Sequence, residues 1–180
     1  MSFEDDFDQL YRNCYRRLLA KAVVVTGGEP VPAQDAVQEA FVRCWERMST
    51  QNGPPVLNWD SWLSVIVVRE ALKGRADSAR SVGLEGHDPP SSNLDLASAL
   101  QIKDAYRRVC KGVAGLSARR RSVVALRFIA GLNTAQVADE LCISESAVRA
   151  HIALARKDLH PQWLELKQLG IVDDDERREA

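Results

Sequence analysis

The chain has 180 residues and a formal net charge of -1, and 46% of its residues are hydrophobic while 27% are charged. This composition excludes a disordered chain, because enough apolar side chains are present to bury a core. No run of about 18 apolar residues occurs, and the acidic start MSFEDDFDQL lacks the basic and then apolar order of a signal peptide, so we expect a cytoplasmic protein that does not enter a membrane.

Three helices are predicted in the first 80 residues. Apolar residues recur at helical spacing from Phe3 to Val25, and the stretch TGGEPVP then ends that helix. A second helix begins at about Ala33 and carries a broad apolar stripe. A third begins near Asp60, which can serve as its N-cap. The run VIVV at residues 65–68 could form a strand, but its apolar neighbours at helical spacing favour a helix.

A stretch without periodicity, residues 81–93, divides the chain. Its sequence SVGLEGHDPPSSN is rich in glycine, proline and serine and predicts a flexible linker. One helix is then expected from Leu94 to Val113, and another is capped by Ser117 and ends at Gly131. The prediction is an all-α chain with two small helical domains, at residues 1–80 and 94–164. An acidic tail at 165–180 follows, although its apolar residues could add one more helix. Two alternatives stay open for the tail: it could be solvated, or it could be a contact for a regulator or a protease.

Residues 132–159, LNTAQVADELCISESAVRAHIALARKDL, have the pattern of a helix-turn-helix. Asn133 and Gln136 form a predicted capping box for the first short helix, CIS is the turn, and Ser144 caps the second helix. Ala138 is the small residue at the point where the second helix crosses the first. A purely structural hairpin would show the same apolar spacing, and this alternative stays open.

The outer side of this hairpin and the arginines before it predict a contact with duplex DNA. Arg149 is the expected base reader, because its planar guanidinium can donate two hydrogen bonds to a guanine edge. His151 could face DNA, solvent or the edge of the domain. The arginines at 119–121 oppose the dipole of their own helix, a cost that phosphates would offset, although a solvated charge run is the ordinary alternative. The predicted set is Arg119, Arg120, Arg121, Thr134, Ser144, Glu145, Ser146, Arg149, His151, Arg156 and Lys157.

The positive charge of the chain is concentrated in one segment. Lys103 to Arg127 contains eight basic residues and one acidic residue, a net charge of +7 in a chain of net charge -1. Phosphate attraction acts over about a Debye length, so a local patch matters more than the sum. A nearly neutral chain is therefore compatible with DNA binding.

No pattern of residues indicates catalysis or a cofactor. Cys14, Cys44, Cys110 and Cys142 are widely separated without a CxxC pair, and each lies in or beside an apolar helical pattern, which predicts small buried thiols. A phosphate-binding loop, a nucleophile elbow and a cluster of histidine with carboxylates are all missing from the sequence. We expect no enzymatic activity, no metal and no cofactor.

With both halves placed, the order of parts resembles the sigma factors of bacterial RNA polymerase, of the two-domain extracytoplasmic-function (ECF) type. AQDAVQEAFVRCWERM is similar to the helix with which that family binds core polymerase. LSARRRSVVALRFIAGLNTAQVADELCISESAVRAHIALAR is similar to its promoter-reading C-terminal domain. A helix-turn-helix alone is weakly specific, but the two motifs in this order are strongly so.

The resemblance implies a transcription initiation factor that directs core polymerase to specific promoters. The polar face of the second helix would contact the polymerase while Phe41 and Trp45 pack inward; its residues are Asp35, Gln38, Glu39 and Arg43. The third helix would hold the minus-ten promoter element, and the hairpin with the arginine triplet would read the minus-thirty-five element. An anti-sigma factor is a further candidate partner. The residues implied for the minus-ten element are Trp62, Arg69, Lys73, Arg75 and Arg80.

The sequence departs from the family pattern in the minus-ten region. Arg69 and Lys73 stand where the family usually has Asn and Asp, and the arginine-rich run that usually follows is thinned, so we expect an atypical minus-ten element. His151 and Leu154 likewise replace usual basic residues in the second hairpin helix. Two rival functions stay open: an operator-binding regulator that acts as a dimer, and a sigma-like decoy that binds polymerase or an anti-sigma factor without opening DNA.

Overall fold

A computed structural model describes residues 3–50, 53–78 and 96–169 of the chain. These residues form helices and connecting turns, without a strand among them, and the predicted all-α fold class is confirmed. The predicted linker at 81–93 and the end of the chain from residue 170 lie outside the described residues. The helices are α1 (Phe3–Thr26), α2 (Pro30–Thr50), α3 (Trp59–Ser78), α4 (Leu96–Gly115), α5 (Ala118–Val124), a π-helical turn (Ala125–Ile129), α6 (Thr134–Leu141), α7 (Glu145–Asp158) and α8 (His160–Gln168).

The N-terminal half is a bundle of α1, α2 and α3, each packed against the other two. Leu18, Val37 and Leu63, one from each helix, are completely buried. The β-branched residues Val67 and Val68 are also buried within α3, as the helical prediction required. Burial of one apolar side from each helix supplies most of the stability of such a bundle.

Two predicted helix starts in this half are corrected. The second helix begins at Pro30, three residues before the predicted Ala33, because proline needs no hydrogen-bonded N–H in a first helical turn. The third helix is capped by Asn58, whose Oδ1 accepts a hydrogen bond from the Ser61 backbone N at 3.0 Å. Asp60 instead forms an ion pair with Arg17 of α1.

The C-terminal half contains α4 to α8 around a second group of buried residues. Between α5 and α6 the helix passes into a π-helical turn, in which the Ala130 N donates to the Ala125 O at 2.8 Å. Gly131 follows with φ +81, a value that suits glycine, and ends the helix as predicted. The fully buried side chains of this half include those of Val109, Leu126, Val137, Val148 and Leu159.

The last helix, α8, packs against α4 and extends past residue 164, where the acidic tail was predicted to begin. Glu165 forms an ion pair with Arg108 of α4, with 2.6 Å between the Arg108 Nη2 and the Glu165 Oε1. The helices approach closely at Gly112, where an added Cβ would lie 3.2 Å from the side chain of Gln162. The apolar residues after His160 therefore do form one more helix.

The two halves are in contact, and their buried residues form one continuous core. Helix α4 packs on α1, and the π-helical turn packs on α3. Tyr106 of α4 is 3% exposed, and its hydroxyl donates to the Ala20 O of α1 at 2.9 Å. A separate contact between the halves pairs Arg69 of α3 with Glu140 of α6. The described structure is a closed arrangement of the halves.

Candidate nucleic-acid interface

The hairpin of α6 and α7 has the caps that the sequence predicted. Asn133 Oδ1 accepts from the Gln136 N at 2.8 Å, and Gln136 Oε1 accepts from the Asn133 N at 2.9 Å, so both bonds of the capping box are present. Ser144 Oγ accepts from the Ala147 N at 3.2 Å and caps α7. In the turn between them, Cys142 has φ 51, in the left-handed region where glycine is favoured.

The hairpin packs through its apolar side and exposes the predicted outer face. Ala138 is 6% exposed, which agrees with its predicted place at the crossing of the two helices. Val148 and Ile152 of α7 are buried against the rest of the half. The side chains left outside are those of Ser144, Glu145, Ser146, Arg149 and Ala150.

A depression of about 450 Å³ lies between α7 and the N-terminus of α6, and we call it the reading depression. Arg149 projects over it and forms an ion pair with Glu145 at 3.1 Å, with both side chains more than half exposed. Three residues of the predicted duplex contact, Thr134, Glu145 and Arg149, thus meet at one place. The lining residues are Arg127, Gly131, Asn133, Thr134, Ala135, Glu145 and Arg149.

Arg127 belongs to this depression and was missed from the sequence. It is only 6% exposed, and its Nη1 donates to the Leu132 O at 3.2 Å. A buried guanidinium keeps its charge and therefore needs acceptors. Its presence within the apolar run VVALRFIA was the signal that could have identified it.

The remaining predicted residues of α7 lie on different sides of the helix. Arg156 places its guanidinium carbon 5.8 Å from the centroid of the Phe128 ring, and Lys157 is exposed. His151 is partly buried, and its Nδ1 is buried with no hydrogen-bond partner among the described residues. One edge of the imidazole thus faces the protein, and a DNA contact by His151 stays a prediction.

The three arginines at 119–121, predicted as one basic patch, have three different surroundings. Arg119 is exposed, whereas Arg120 forms an ion pair with Asp158 of α7. Arg121 turns back to the end of α4 and donates to three backbone carbonyls there. These hydrogen bonds give Arg121 a structural role that requires no contact with DNA. Ser117 occupies the N-cap position but makes no side-chain capping bond. The three acceptors are Val113 O at 3.1 Å, Ala114 O at 2.8 Å and Leu116 O at 2.8 Å.

The four residues predicted to bind polymerase lie on the outer side of α2. Asp35 and Gln38 are exposed one turn apart. Arg43 donates to Glu39 at 2.8 Å and pairs with Glu70 of α3 at 3.2 Å. The hydrogen bond to Glu39 raises the pKa of Arg43 above its ordinary value, against the lowering effect of partial burial.

The same side of α2 carries apolar surface that was not predicted. Phe41 is 5% exposed and packs inward as expected, but Trp45 is 40% exposed. Its ring meets Phe7 edge-on, with the ring centroids 5.0 Å apart, and part of its surface stays exposed. The expectation that Trp45 packs inward is therefore wrong in part, and the outer side of α2 combines polar and apolar groups. Val42 beside it is 53% exposed.

The loop before α3 forms a second depression, of about 260 Å³, which we call the loop pocket. Arg47 holds this loop by donating to the Pro54 O. Trp62, predicted for the minus-ten element, is partly buried and meets Trp59 of the pocket wall edge-on, with ring centroids 5.7 Å apart. In the sequence, the glycine and two prolines of this loop predict only that the second helix ends here. The pocket is lined by Arg47, Gly53, Pro54, Pro55, Val56 and Trp59.

The basic residues predicted for the minus-ten element are only partly described. Arg69 is bound to Glu140 of the C-terminal half. Lys73 pairs with Glu70 at 2.8 Å, and its side chain is 64% exposed. Arg75 lies in the last turn of α3, but its side chain is not described, and Arg80 lies outside the described residues.

Three of the four cysteines are buried as predicted, but Cys142 is exposed in the hairpin turn. Burial raises the pKa of both Cys44 and Cys110 to about 12, so these thiols stay protonated at neutral pH. Within the described ranges, no three histidine, cysteine, aspartate or glutamate side chains are placed to share a metal ion. None of the helices described here is long and apolar enough to span a membrane.

Two family models match the chain, Sigma-70 region 2 over residues 10–81 and Sigma-70, region 4 over residues 111–159. The chain belongs to the sigma-70 family. It is 28% identical to the ECF RNA polymerase sigma factor SigL of Mycobacterium tuberculosis over 146 residues, which cover 80% of each chain. It is 27% identical to the ECF sigma factor SigK of Mycolicibacterium vanbaalenii over 130 residues, 69% of this chain and 65% of the relative.

A solved structure of the sigma factor CnrH, in complex with the cytosolic domain of CnrY, is similar to this sigma factor with a TM-score of 0.54 and 25% identity. The similarity covers 88% of this chain and 87% of CnrH. Together with the family models, it confirms that the resemblance to ECF sigma factors is correct. This ECF sigma factor is a transcription initiation factor that directs RNA polymerase to promoter DNA.

Proposed function

We propose that this sigma factor binds core polymerase through the outer side of α2 and places two separate DNA-binding surfaces on the promoter. The hairpin would read the minus-thirty-five element as duplex, and the loop pocket with α3 would hold the minus-ten element. The observation that carries the proposal is the reading depression, where an exposed Arg149 and Glu145 stand beside the N-terminus of α6.

The pair of Arg149 and Glu145 suits the edge of a G·C base pair. Arginine donates to guanine O6 and N7, and a carboxylate accepts from cytosine N4. An ion pair as exposed as this one contributes only about 0.2–1 kcal/mol, so each side chain can exchange its partner for a base at little cost. Thr134 at the N-terminus of α6, with the buried charge of Arg127 behind it, would meet a backbone phosphate.

The loop pocket supports capture of an unstacked base in the minus-ten element. Its walls are Trp59, two prolines and Val56, and a guanidinium lies at its rim. Unstacking a base costs a few kcal/mol, and stacking on an aromatic side chain returns about 1–3 kcal/mol. Arg69 and Lys73, further along the helix α3 that begins at Trp59, would hold the phosphates of the same strand. Loss of binding to a single-stranded minus-ten oligonucleotide in Trp59→Ala would support this step.

The outer side of α2 has the features of a surface that receives another helix. Exposed Asp35 and Gln38 can form polar contacts, while Val42 and Trp45 supply apolar area that is otherwise in water. Buried aromatic anchors with surrounding polar groups carry most of the energy in protein interfaces. We expect Gln38→Ala and Trp45→Ala to weaken core binding at least tenfold, and Gln9→Ala, at an exposed glutamine of α1, to serve as the matched control.

We also propose that a regulatory protein binds this sigma factor, as an anti-sigma factor would. The support is the similarity to CnrH, whose solved structure contains the cytosolic domain of CnrY. The cytoplasmic location that such a function requires also stays a prediction.

Run-off transcription with purified core polymerase and genomic DNA fragments tests the proposal. We expect promoter-specific transcripts only when this protein is added, and Arg149→Ala should reduce discrimination at one base pair by about 1–3 kcal/mol. Equal weakening on all sequences would identify Arg149 as a phosphate contact instead. Core binding without transcripts would favour the decoy, and tight operator binding without core would favour the dimeric regulator.

A further inference from the structure

The outward side of α7 carries three apolar side chains, those of Ala150, Ala153 and Leu154, which we call the apolar strip. All three are exposed, and Leu154 keeps 49% of its surface in water. Successive residues of an α-helix are about 100° apart, so Ala150 lies nearly opposite the buried Val148 and Ile152. The apolar strip therefore points away from the core of the C-terminal half, on the side of α7 that a partner would meet.

The apolar strip continues the surface that is proposed to read duplex DNA. Ser146 precedes it and Lys157 follows it, and the exposed Arg149 stands beside it, where it lines the reading depression. One exposed leucine is ordinary on a protein surface, but here it extends an apolar face that has cations at its side and at its end. Such cations contact phosphates, so these surroundings favour a nucleic acid over the apolar helix of another protein.

The match to Sigma-70, region 4 over residues 111–159 includes the apolar strip, and promoter DNA is therefore its expected partner. Leu154 stands where the family usually has a basic residue. The side chains of alanine and leucine carry neither a donor nor an acceptor, so they cannot read a base by hydrogen bonding. Any selectivity of this part of α7 must come from apolar contact.

The major groove displays one apolar group on its base edges, the C5 methyl group of thymine. Every base pair also displays polar groups there, but only the methyl group gains from an apolar neighbour. From Ala150 to Leu154 the helix rises about 6 Å, which is roughly two base-pair steps of about 3.4 Å. The apolar strip is thus long enough to face two adjacent base pairs.

We infer that the apolar strip is a specificity determinant, which selects thymines in the minus-thirty-five element through contact of Ala150 and Leu154 with their C5 methyl groups. This inference rests on the proposed function and deepens it. Arg149 would read a guanine by hydrogen bonding, and the apolar strip beside it reads one or two thymines by their methyl groups alone. Because 5-methylcytosine carries the same methyl group, the apolar strip also distinguishes methylated from unmethylated cytosine.

Exchange of thymine for uracil tests the inference, because it removes the methyl group and leaves base pairing unchanged. The element is taken from a promoter that run-off transcription identifies, and its thymines are replaced one at a time. The measurement is the affinity of each duplex for the holoenzyme made from core polymerase and the full chain. We expect binding to weaken about fourfold at one or two thymines, the effect of one methyl group left unburied. An element without thymine, or unchanged affinity at every thymine, would overturn the inference.

Variants of the apolar strip assign the contact to its residues. Leu154→Ala and Ala150→Gly should each reduce the thymine-to-uracil affinity ratio from about four to below about two at one of the sensitive positions. A ratio measured on one protein sample does not change when part of the sample unfolds, so the helix-weakening glycine does not affect it. Leu164→Ala, at a leucine of α8 that is 65% exposed, is the matched control and should keep the wild-type ratio. Wild-type ratios in both strip variants would show that another residue contacts the methyl groups, against the inference.

Cytosine and 5-methylcytosine at the sensitive positions separate the methyl group from the hydrogen-bonding pattern of thymine. The wild type should bind the 5-methylcytosine duplex about fourfold tighter than the cytosine duplex. In Leu154→Ala the two duplexes should bind almost equally at the position that Leu154 contacts. Equal binding of both duplexes by the wild type would contradict a contact with the methyl group.

The outcomes also separate the inference from the function it rests on. Absence of promoter-specific transcripts with the wild type would refute the proposed function. Promoter-specific transcripts together with equal affinity for thymine and uracil duplexes would refute the reading of methyl groups alone. Loss of transcription in Leu154→Ala at unchanged duplex affinity would instead identify the apolar strip as a contact for a protein, and would likewise overturn the inference.

Discussion

Mutation of the arginines at 119–121 should separate a stabilising side chain from a DNA-binding one. Arg121 donates three hydrogen bonds to carbonyls at and just after the end of α4, at 3.1, 2.8 and 2.8 Å, while Arg119 two positions earlier is exposed. A hydrogen bond to a charged group contributes about 1.5–3 kcal/mol, but here the three share one half-buried guanidinium and water can replace part of them. We therefore expect Arg121→Ala to cost about 2–3 kcal/mol in all.

A loss of this size corresponds to a melting temperature lower by about 4–12 °C in a protein of 150–250 residues. Arg119→Ala should leave the melting temperature almost unchanged, because it removes an exposed side chain. It should instead reduce the slope of log K against log salt by about 0.9 for duplex DNA, the effect of one lost phosphate contact.

Circular dichroism melts and binding titrations at several salt concentrations measure both effects on the same samples. Arg121→Lys is the conservative control, since a single ammonium cannot reach three diverging carbonyls and should recover less than half of the stability. Equal melting temperatures for Arg119→Ala and Arg121→Ala would refute the reasoning. A changed salt slope without a loss of stability in Arg121→Ala would instead identify Arg121 as a phosphate contact.

Three further predictions concern stability. Cys142→Gly should raise the free energy of unfolding by about 0.5–1 kcal/mol in denaturant titrations, because φ is 51 there and glycine adopts this conformation without strain. A lower free energy of unfolding would show that contacts of the thiol stabilise the protein by more than this strain costs. Gly112→Ala should lower it by no more than about 2 kcal/mol, because the new methyl meets Leu159 at 3.1 Å and Gln162 at 3.2 Å while alanine gains about 1 kcal/mol over glycine inside a helix. A raised midpoint would mean that Leu159 and Gln162 move aside freely. In the folded protein the pKa of Cys44 and of Cys110 is raised to about 12, whereas a thiol of the unfolded chain ionises at about pH 8.5. The contribution of the two thiols to the free energy of unfolding is therefore complete below about pH 8.5 and is lost as the pH rises toward 12. Between pH 8 and 10, the free energy of unfolding of the wild type should fall by about 3 kcal/mol more than that of the double variant Cys44→Ala/Cys110→Ala. Parallel pH profiles would contradict the raised pKa of the two thiols.

Local signals in the sequence predicted local structure well. The capping box of Asn133 and Gln136, the cap at Ser144 and the end at Gly131 depend on residues a few positions apart, and all were found as expected. The start of α3 was assigned to Asp60 instead of Asn58, because both residue types cap helices and only the tertiary ion pair with Arg17 distinguishes them.

Features that depend on contacts between distant segments could not be predicted. Nothing near Arg121 in the sequence indicates that its side chain returns to the end of α4, and a charge count cannot separate it from Arg119. The pairing of Arg69 with Glu140 joins residues 71 positions apart. The loop pocket was missed for a different reason, because glycine and proline report where a helix stops and not what concave shape the turn then takes.

The π-helical turn at Ala125–Ile129 absorbs one extra residue while it keeps the direction of the segment that follows. A π turn holds one residue more than an α-helical turn, and both turns close a full circle. Deleting one residue here would let the helix return to ordinary geometry, and Gly131 and the hairpin would leave the helix close to their present direction. One further residue inserted here would instead rotate them by about 100°, the advance of one residue in an α-helix. The orientation of Arg149 should therefore tolerate the loss of one residue at this point better than the gain of one.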